Sequence, residues 1–285
     1  MSSPSEWWID APHQLTLTEP VERLDVRIVG GSVNVVGKDT AGAHIEVSDL
    51  DGPPLHVTHH AGTLTVAYDD VPWQGFLQLL DRKRWRRSVH LTLAVPATAG
   101  VRVGAITAAT VVSGTMGEAE VRGITGETTL VGLGGPVHAH SVSGGVAAQA
   151  LRGALAFHSV SGDLTVIDGG AASLRADSVS GDLTVDVPES GTDPTEVSLT
   201  TVSGEIAVRL PQAPDTTVEA HTNGGSVSCA FDTLHVGGQW GARRVTGTLG
   251  AGRDTLKATT VSGGLALLRR SPGTHTDAPL LVKDA

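Results

Sequence analysis

A chain of 285 residues can bury a sizeable core, but with only three Phe, one Tyr and five Trp that core has to be built from Val, Leu and Ala. Thirty-six glycines, with many Val and Thr, disfavour long helices and favour short strands joined by tight turns, so the class is all-β. A formal charge of −10 argues against general nucleic-acid binding, and the single cysteine, Cys229, excludes an internal disulfide and favours a reducing compartment.

Met1 to Trp8 offers neither a basic n-region nor an apolar h-region, and no run approaches the roughly 18 apolar residues of a membrane span. The expectation is a cytoplasmic chain. Residues 1–23, with Trp7, Trp8 and Pro12, are read as a cap. Short alternating segments follow at 24–28, 32–36, 44–47, 64–67 and 90–95, and these are read as the start of a single repeat domain covering 24–270.

Residues 73–88 interrupt that pattern. They hold three of the nine aromatics, five of the twenty basic residues and one acid, a local charge of +4 that leaves −14 on the remainder. Trp73, Phe76, Leu77, Leu79, Leu80 and Trp85 suit a headgroup boundary or a protein partner. Arg82, Lys83, Arg84, Arg86 and Arg87 suit anionic lipid, at about 1 kcal/mol for each basic residue near the surface. The bland reading is an insertion that caps the fold, its arginines paired with acidic residues.

Further along, Val-Ser-Gly recurs at 112–114, 142–144, 160–162, 179–181, 202–204 and 261–263. Ser-Val-Ser-Gly-Asp-Leu-Thr-Val occupies both 159–166 and 178–185, and Thr-Val-Ser-Gly-Glu-Ile-Ala-Val occupies 201–208. The steps from Ser143 to Ser161, on to Ser180 and on to Ser203 each hold two strands and two turns, too little for a crossover helix. This predicts a β-solenoid of stacked rungs of about 18–20 residues, with the insertion at 188–194 looping out. The turn glycine is assigned to positive φ, and Val160, Leu164, Val166, Val179, Leu183, Val185, Ile206 and Val208 are assigned to the core. Arg269, Arg270 and Pro272 read as the second cap, and 271–285 as a tail. An antiparallel sandwich is the competing fold.

Columns of equivalent residues raise chemical possibilities. His140, His158 and Asp177 could hold zinc, but one residue per rung makes an exposed ladder the better reading, and His56, His59 and His60 are read as strand-edge or loop residues. Asp163, Asp182 and Glu205 could serve glycoside hydrolysis, yet identical turn acids lack the two unlike environments and the aromatic platform such chemistry needs. Ser143, Ser161, Ser180 and Ser203 have no His–acid pair recurring with them. Gly132-Leu-Gly-Gly135 lacks a phosphate-binding lysine. No catalytic residue, metal or cofactor is assigned.

These units, with Gly-Gly-Ser-Val-Asn-Val-Val at 30–36, resemble the bacterial putative-adhesin repeat domain, also called Toastrack, over roughly 24–270. The resemblance implies a β-solenoid accompanying membrane-stress sensing systems, some phage-shock-like, and brings no catalytic set. The reading is therefore a non-enzymatic scaffold, peripheral to the inner membrane. It docks to anionic lipid or to a membrane-bound stress-response protein through Trp73, Phe76, Leu77, Leu80, Arg82, Lys83, Arg84, Trp85, Arg86 and Arg87, and oligomerisation is allowed but not required. A polymer-forming solenoid is the alternative, and a carbohydrate-active enzyme the third choice.

Overall fold

The computed structural model describes residues 5–68, 87–170, 173–189, 194–239 and 241–270. All regular structure among them is strand, arranged as two long sheets face to face with no closed barrel. In chain order the elements begin with β1 (Ser5–Ile9), β2 (His13–Leu17), β3 (Arg23–Ile28), β4 (Gly30–Lys38), β5 (Ala43–Asp51), β6 (Leu55–His60), β7 (Thr63–Ala67) and β8 (Ser88–Pro96). Regular rungs follow as β9 (Gly100–Ala105) with β10 (Ala109–Ser113), β11 (Ala119–Gly123) with β12 (Thr128–Val131), and β13 (Val137–Ser141) with β14 (Val146–Gln149). Next come β15 (Leu155–Ser159) with β16 (Leu164–Ile167), β17 (Ser173–Asp177) with β18 (Leu183–Asp186), and β19 (Glu196–Thr201) with β20 (Ile206–Leu210). The last elements are β21 (Thr216–Thr222), β22 (Val227–Cys229), β23 (His235–Gln239), β24 (Ala242–Thr248), β25 (Asp254–Thr260) and β26 (Leu265–Arg269).

Each regular rung contributes one strand to each sheet, paired in parallel with its neighbours. Val101, Ala119, Val137, Leu155, Leu174 and Val197 stand in one register column, so the rungs are nearly equal in length until the step from Leu174 to Val197. The predicted β-solenoid is therefore the fold. That longest step holds the Pro- and Gly-rich residues 188–194, and parallel pairing continues across it from β17 to β19.

Period-two alternation places the core. Leu155, Phe157, Leu164, Val166, Leu183, Val185, Ile206 and Val208 are at most 1% exposed, on the facing sides of the two sheets. Removing that apolar area from water, at about 25 cal/mol per Å², is the main force holding the sheets together. Two assigned core residues are elsewhere: Val160 and Val179 are 52% and 50% exposed. Their strands end at Ser159 and Asp177, and alternation stops where the chain turns the corner.

Stack order departs from chain order at both ends. The first sheet runs β1-β6-β7-β3-β9 and onward to β19-β25-β21-β24-β23, and the second runs β2-β5-β8-β4-β10 and onward to β20-β26-β22. The β3/β4 rung thus lies inside the β7/β8 rung, and the last rung, β25/β26, slots between β19/β20 and β21/β22. Among the described residues, antiparallel strands finish three of the four sheet ends: β1 on β6, β2 on β5, and β23 on β24.

Candidate interaction surface

The tetrapeptide Ser/Thr-Val-Ser-Gly, at 141–144, 159–162, 178–181, 201–204 and 260–263, forms the corner where the chain leaves the first sheet for the second, whereas the copy at 112–114 ends β10 in the second sheet. Its first Ser or Thr accepts a hydrogen bond from the glycine amide three residues on: Gly162 N to Ser159 Oγ at 2.7 Å, Gly181 N to Ser178 Oγ at 2.9 Å, and Gly204 N to Thr201 Oγ1 at 3.2 Å. This is local turn chemistry of the Ser/Thr kind. The second serine donates instead to the rung before it, Ser161 Oγ to Val142 O at 3.1 Å and Ser180 Oγ to Val160 O at 3.3 Å. The serine column therefore ties rungs together.

Gly114 sits at positive φ as predicted, but Gly162, Gly181 and Gly204 serve a different purpose. Gly162, Gly181 and Gly204 are absent from the residues at positive φ. A Cβ on Gly181 would lie 2.0 Å from Gly162 O, and one on Gly204 would lie 2.0 Å from Gly181 O. Close backbone approach between rungs, not left-handed geometry, requires glycine here.

The acidic column is also structural. Asp163 Oδ1 accepts the Asp182 amide at 2.8 Å, and Asp182 Oδ1 accepts the Glu205 amide at 2.7 Å. Each carboxylate thus satisfies an amide of the next rung where strand pairing has lapsed at the corner. Gly132 to Gly135 form a tight turn at the opposite corner, where a Cβ on Gly135 would meet Gly117 O at 2.3 Å.

On the outer face of the first sheet, register places Arg122, His140, His158, Asp177 and Thr200 in one column. The His140 and His158 rings stack with centroids 5.4 Å apart, and Asp177 is held by Arg175 Nε at 2.9 Å. Beside them Glu120 accepts from Arg102 Nε at 2.7 Å and Arg122 Nε at 2.6 Å. Burial raises the Glu120 pKa, but the two guanidinium bonds outweigh it and hold the carboxyl below its ordinary range. Among the described residues, no group of three or more His, Cys, Asp or Glu side chains is placed to hold a metal.

His140 is pushed below the ordinary histidine value, first by burial and then by the charges of His158 and Arg122, with Glu120 opposing and His138 adding to the shift. The folded state therefore favours the neutral imidazole, and the unfolded chain binds more protons. This contribution to stability is present above the ordinary value near 6.5 and is lost as pH falls. His140→Gln should accordingly flatten the fall in melting temperature between about pH 7 and about pH 5. Thermal melts of the two proteins check this, and equal slopes would remove His140 from the account.

The basic and aromatic segment 73–88 falls in the sequence between β7 and the start of β8. β7 ends at Ala67 in the first sheet and β8 begins at Ser88 in the second, so the chain passes from one sheet to the other between them, as it does at the tetrapeptide corners. Trp73, Phe76, Leu77, Leu80, Arg82, Lys83, Arg84, Trp85 and Arg86 lie outside the described residues. Arg87 lies within them, half-buried, with its guanidinium 5.4 Å over the ring of the buried Tyr68. This is a cation–π contact between the residue after β7 and the residue before β8.

At the outer edge of the stack, Trp8 is 56% exposed and stacks on His56 with centroids 4.2 Å apart, while Trp7 packs partly against the core. His56 also meets Glu6 at 2.7 Å. His59 is buried and bonds Glu19 at 2.7 Å, so it is not the strand-edge or loop residue expected, and His60 is exposed. Within the described residues, no helix is long and apolar enough to cross a membrane.

These features define a regular, two-sheet β-solenoid whose conspicuous chemistry lies on its corners. Residues 190–268 match the family model described as Toastrack DUF4097, so the resemblance read from the repeats holds over β19 to β26. Three solved structures are similar to the chain. One is a putative cell adhesion protein from Clostridium sporogenes, at 11% identity over 91% of this chain and 100% of the other, with a TM-score of 0.31. A putative lipid binding protein from Parabacteroides distasonis gives 11%, 91%, 97% and 0.44 for the same quantities. A putative adhesin from Bacteroides fragilis gives 12%, 91%, 98% and 0.46. No curated protein matches the chain.

Proposed function

We propose that this protein is a non-enzymatic binding scaffold that docks at the cytoplasmic face of the inner membrane. It docks through its insertion at 73–88, onto anionic lipid or onto a membrane-bound stress-response partner. One observation carries the reading: a segment of net charge +4, rich in Trp, Phe and Leu, interrupts the repeat pattern between the sequences of β7 and β8, and the rest of the chain carries −14. Such a charge contrast orients the particle with the insertion toward a negative surface. Aromatic and aliphatic side chains then add burial at the headgroup boundary.

Asp163, Asp182 and the serine column support a non-catalytic role, because their side-chain oxygens bond the adjacent rung and hold the rungs in register. The antiparallel strands at three sheet ends support a discrete particle over an end-to-end polymer, since they break the parallel pattern that a stacked copy would extend.

Co-sedimentation with anionic vesicles tests the proposal. Replacing Arg82, Arg84 and Arg86 together with Ser should abolish recruitment while the thermal melt stays at the wild-type position. Arg87 is left in place because it packs over Tyr68. Added salt should weaken wild-type binding, since the Debye length falls to about 3 Å at 1 M, and Trp73→Ala should weaken retention with less effect on the salt response. Undiminished sedimentation of the triple variant would defeat the lipid version, and saturable binding independent of lipid charge would assign the insertion to a protein partner. If the variant unfolds, the insertion is a cap.

A further inference from the structure

Val160, Val179, Val202 and Val261 are 52%, 50%, 46% and 45% exposed, at the same corner of four consecutive rungs. The displaced last rung makes them consecutive. Val202 N bonds Val179 O at 3.1 Å, and Val261 N bonds Val202 O at 3.1 Å. In chain order the place after Val202 would fall to Asn223, but Asn223 N bonds Val261 O at 3.1 Å, one rung further out. The result is an unbroken aliphatic ridge spanning three rung spacings, about 14 Å.

The turn does not call for valine at this position. Its hydrogen bonds come from the flanking Ser, Thr and Gly, and Asn223 occupies the equivalent site before Gly225, whose amide bonds Thr222 Oγ1 at 3.0 Å. An aliphatic stripe in water without a structural need for it marks an interaction surface. Beside the ridge stand the exposed carboxylates Asp163, Asp182 and Glu205.

We propose that this ridge is a docking surface for a basic amphipathic α-helix of a partner protein, lying along the solenoid axis. The valines call for an apolar stripe and the carboxylate column for a cationic flank. A second copy of this chain would bring its own carboxylates against these. Spacing points the same way. A helix advances about 5.4 Å per turn against about 4.8 Å per rung, a drift under about 2 Å over the ridge. An extended strand presents one face about every 6.7 Å and falls out of phase by the second rung. The ridge begins five rungs from the β7/β8 corner and does not depend on how the insertion works.

The probe is a fluorescein-labelled Leu/Lys amphipathic peptide of about 18 residues with apolar positions at helical spacing, read by fluorescence anisotropy. A scrambled peptide of the same composition is the control. Wild type should bind the ordered peptide and not the scrambled one. Converting Val160, Val179, Val202 and Val261 together to Thr preserves shape and should weaken binding about tenfold or more. Asp163→Asn with Asp182→Asn and Glu205→Gln keeps oxygens that can accept the neighbouring amides, and should weaken binding about threefold and flatten its salt dependence. No binding to wild type, equal binding of the scrambled peptide, or unchanged affinity in both variants would overturn the proposal. So would a wild-type dimer, seen by analytical ultracentrifugation, that the Thr variant loses, because the ridge would then belong to a second copy.

Discussion

Gly181→Ala should destabilise the solenoid by about 3 kcal/mol, the upper end of overpacking costs, although Gly181 sits at a corner rather than in the core. A methyl there would fall 2.0 Å from Gly162 O, 2.7 Å from its carbonyl carbon and 2.9 Å from Ser178 Oγ. The first two are backbone atoms of the adjacent rung and cannot swing aside as the end of a long side chain can. Relief requires the rungs to part, which stretches the bond from Ser180 N to Val160 O, now 2.9 Å. The cost comes from proximity, since Gly181 is not among the positive-φ residues. Urea denaturation measures it, with Ser180→Ala as the comparison. That change removes only the hydroxyl bond to Val160 O and should cost about 0.5–1.5 kcal/mol. A loss below about 0.5 kcal/mol for Gly181→Ala would show that the rungs are not packed this closely.

Leu183→Ala should cost about 2–5 kcal/mol, toward the upper part of that range. Leu183 is 0% exposed and stands in register between Leu164 and Ile206, themselves 1% exposed. Rung spacing is set by backbone hydrogen bonds on both sides, so the neighbours cannot close on the void as freely as helices that slide. Val179→Ala, four residues earlier at 50% exposure, should cost less than about 1 kcal/mol. Equal losses at the two positions would mean that the division between inner face and corner has been drawn wrongly.

The contrast between Val179 and Leu183 also shows how far alternation can be read. Within a strand the pleat alternates inside and outside, so spacing alone places Leu164, Val166, Leu183, Val185, Ile206 and Val208 correctly. At the corner the pleat ends, and apolar character no longer implies burial. The glycines show a second limit. Their place in a turn is evident from the sequence, but the backbone that excludes a side chain lies a whole rung away along the chain.

Composition and repetition by themselves determined that this protein is all-β, that each rung is a pair of short strands, and that the repeated corner carries Ser and Gly, with an acid after three of the copies. These properties come from strand propensity, turn chemistry and pleat, all of which act over short stretches of the chain. The tertiary structure alone decided which rung lies beside which. The last Val-Ser-Gly copy reads as following Asn223 but is inserted before it, and β5 and β6 turn antiparallel among strands of the same alternating pattern. Any rung with an inward apolar face and a corner glycine can pair with any other, so a local pattern cannot rank the pairings. Burying both faces and finishing the sheet ends is a property of the whole stack, and it is this choice that brings four valines into one exposed ridge.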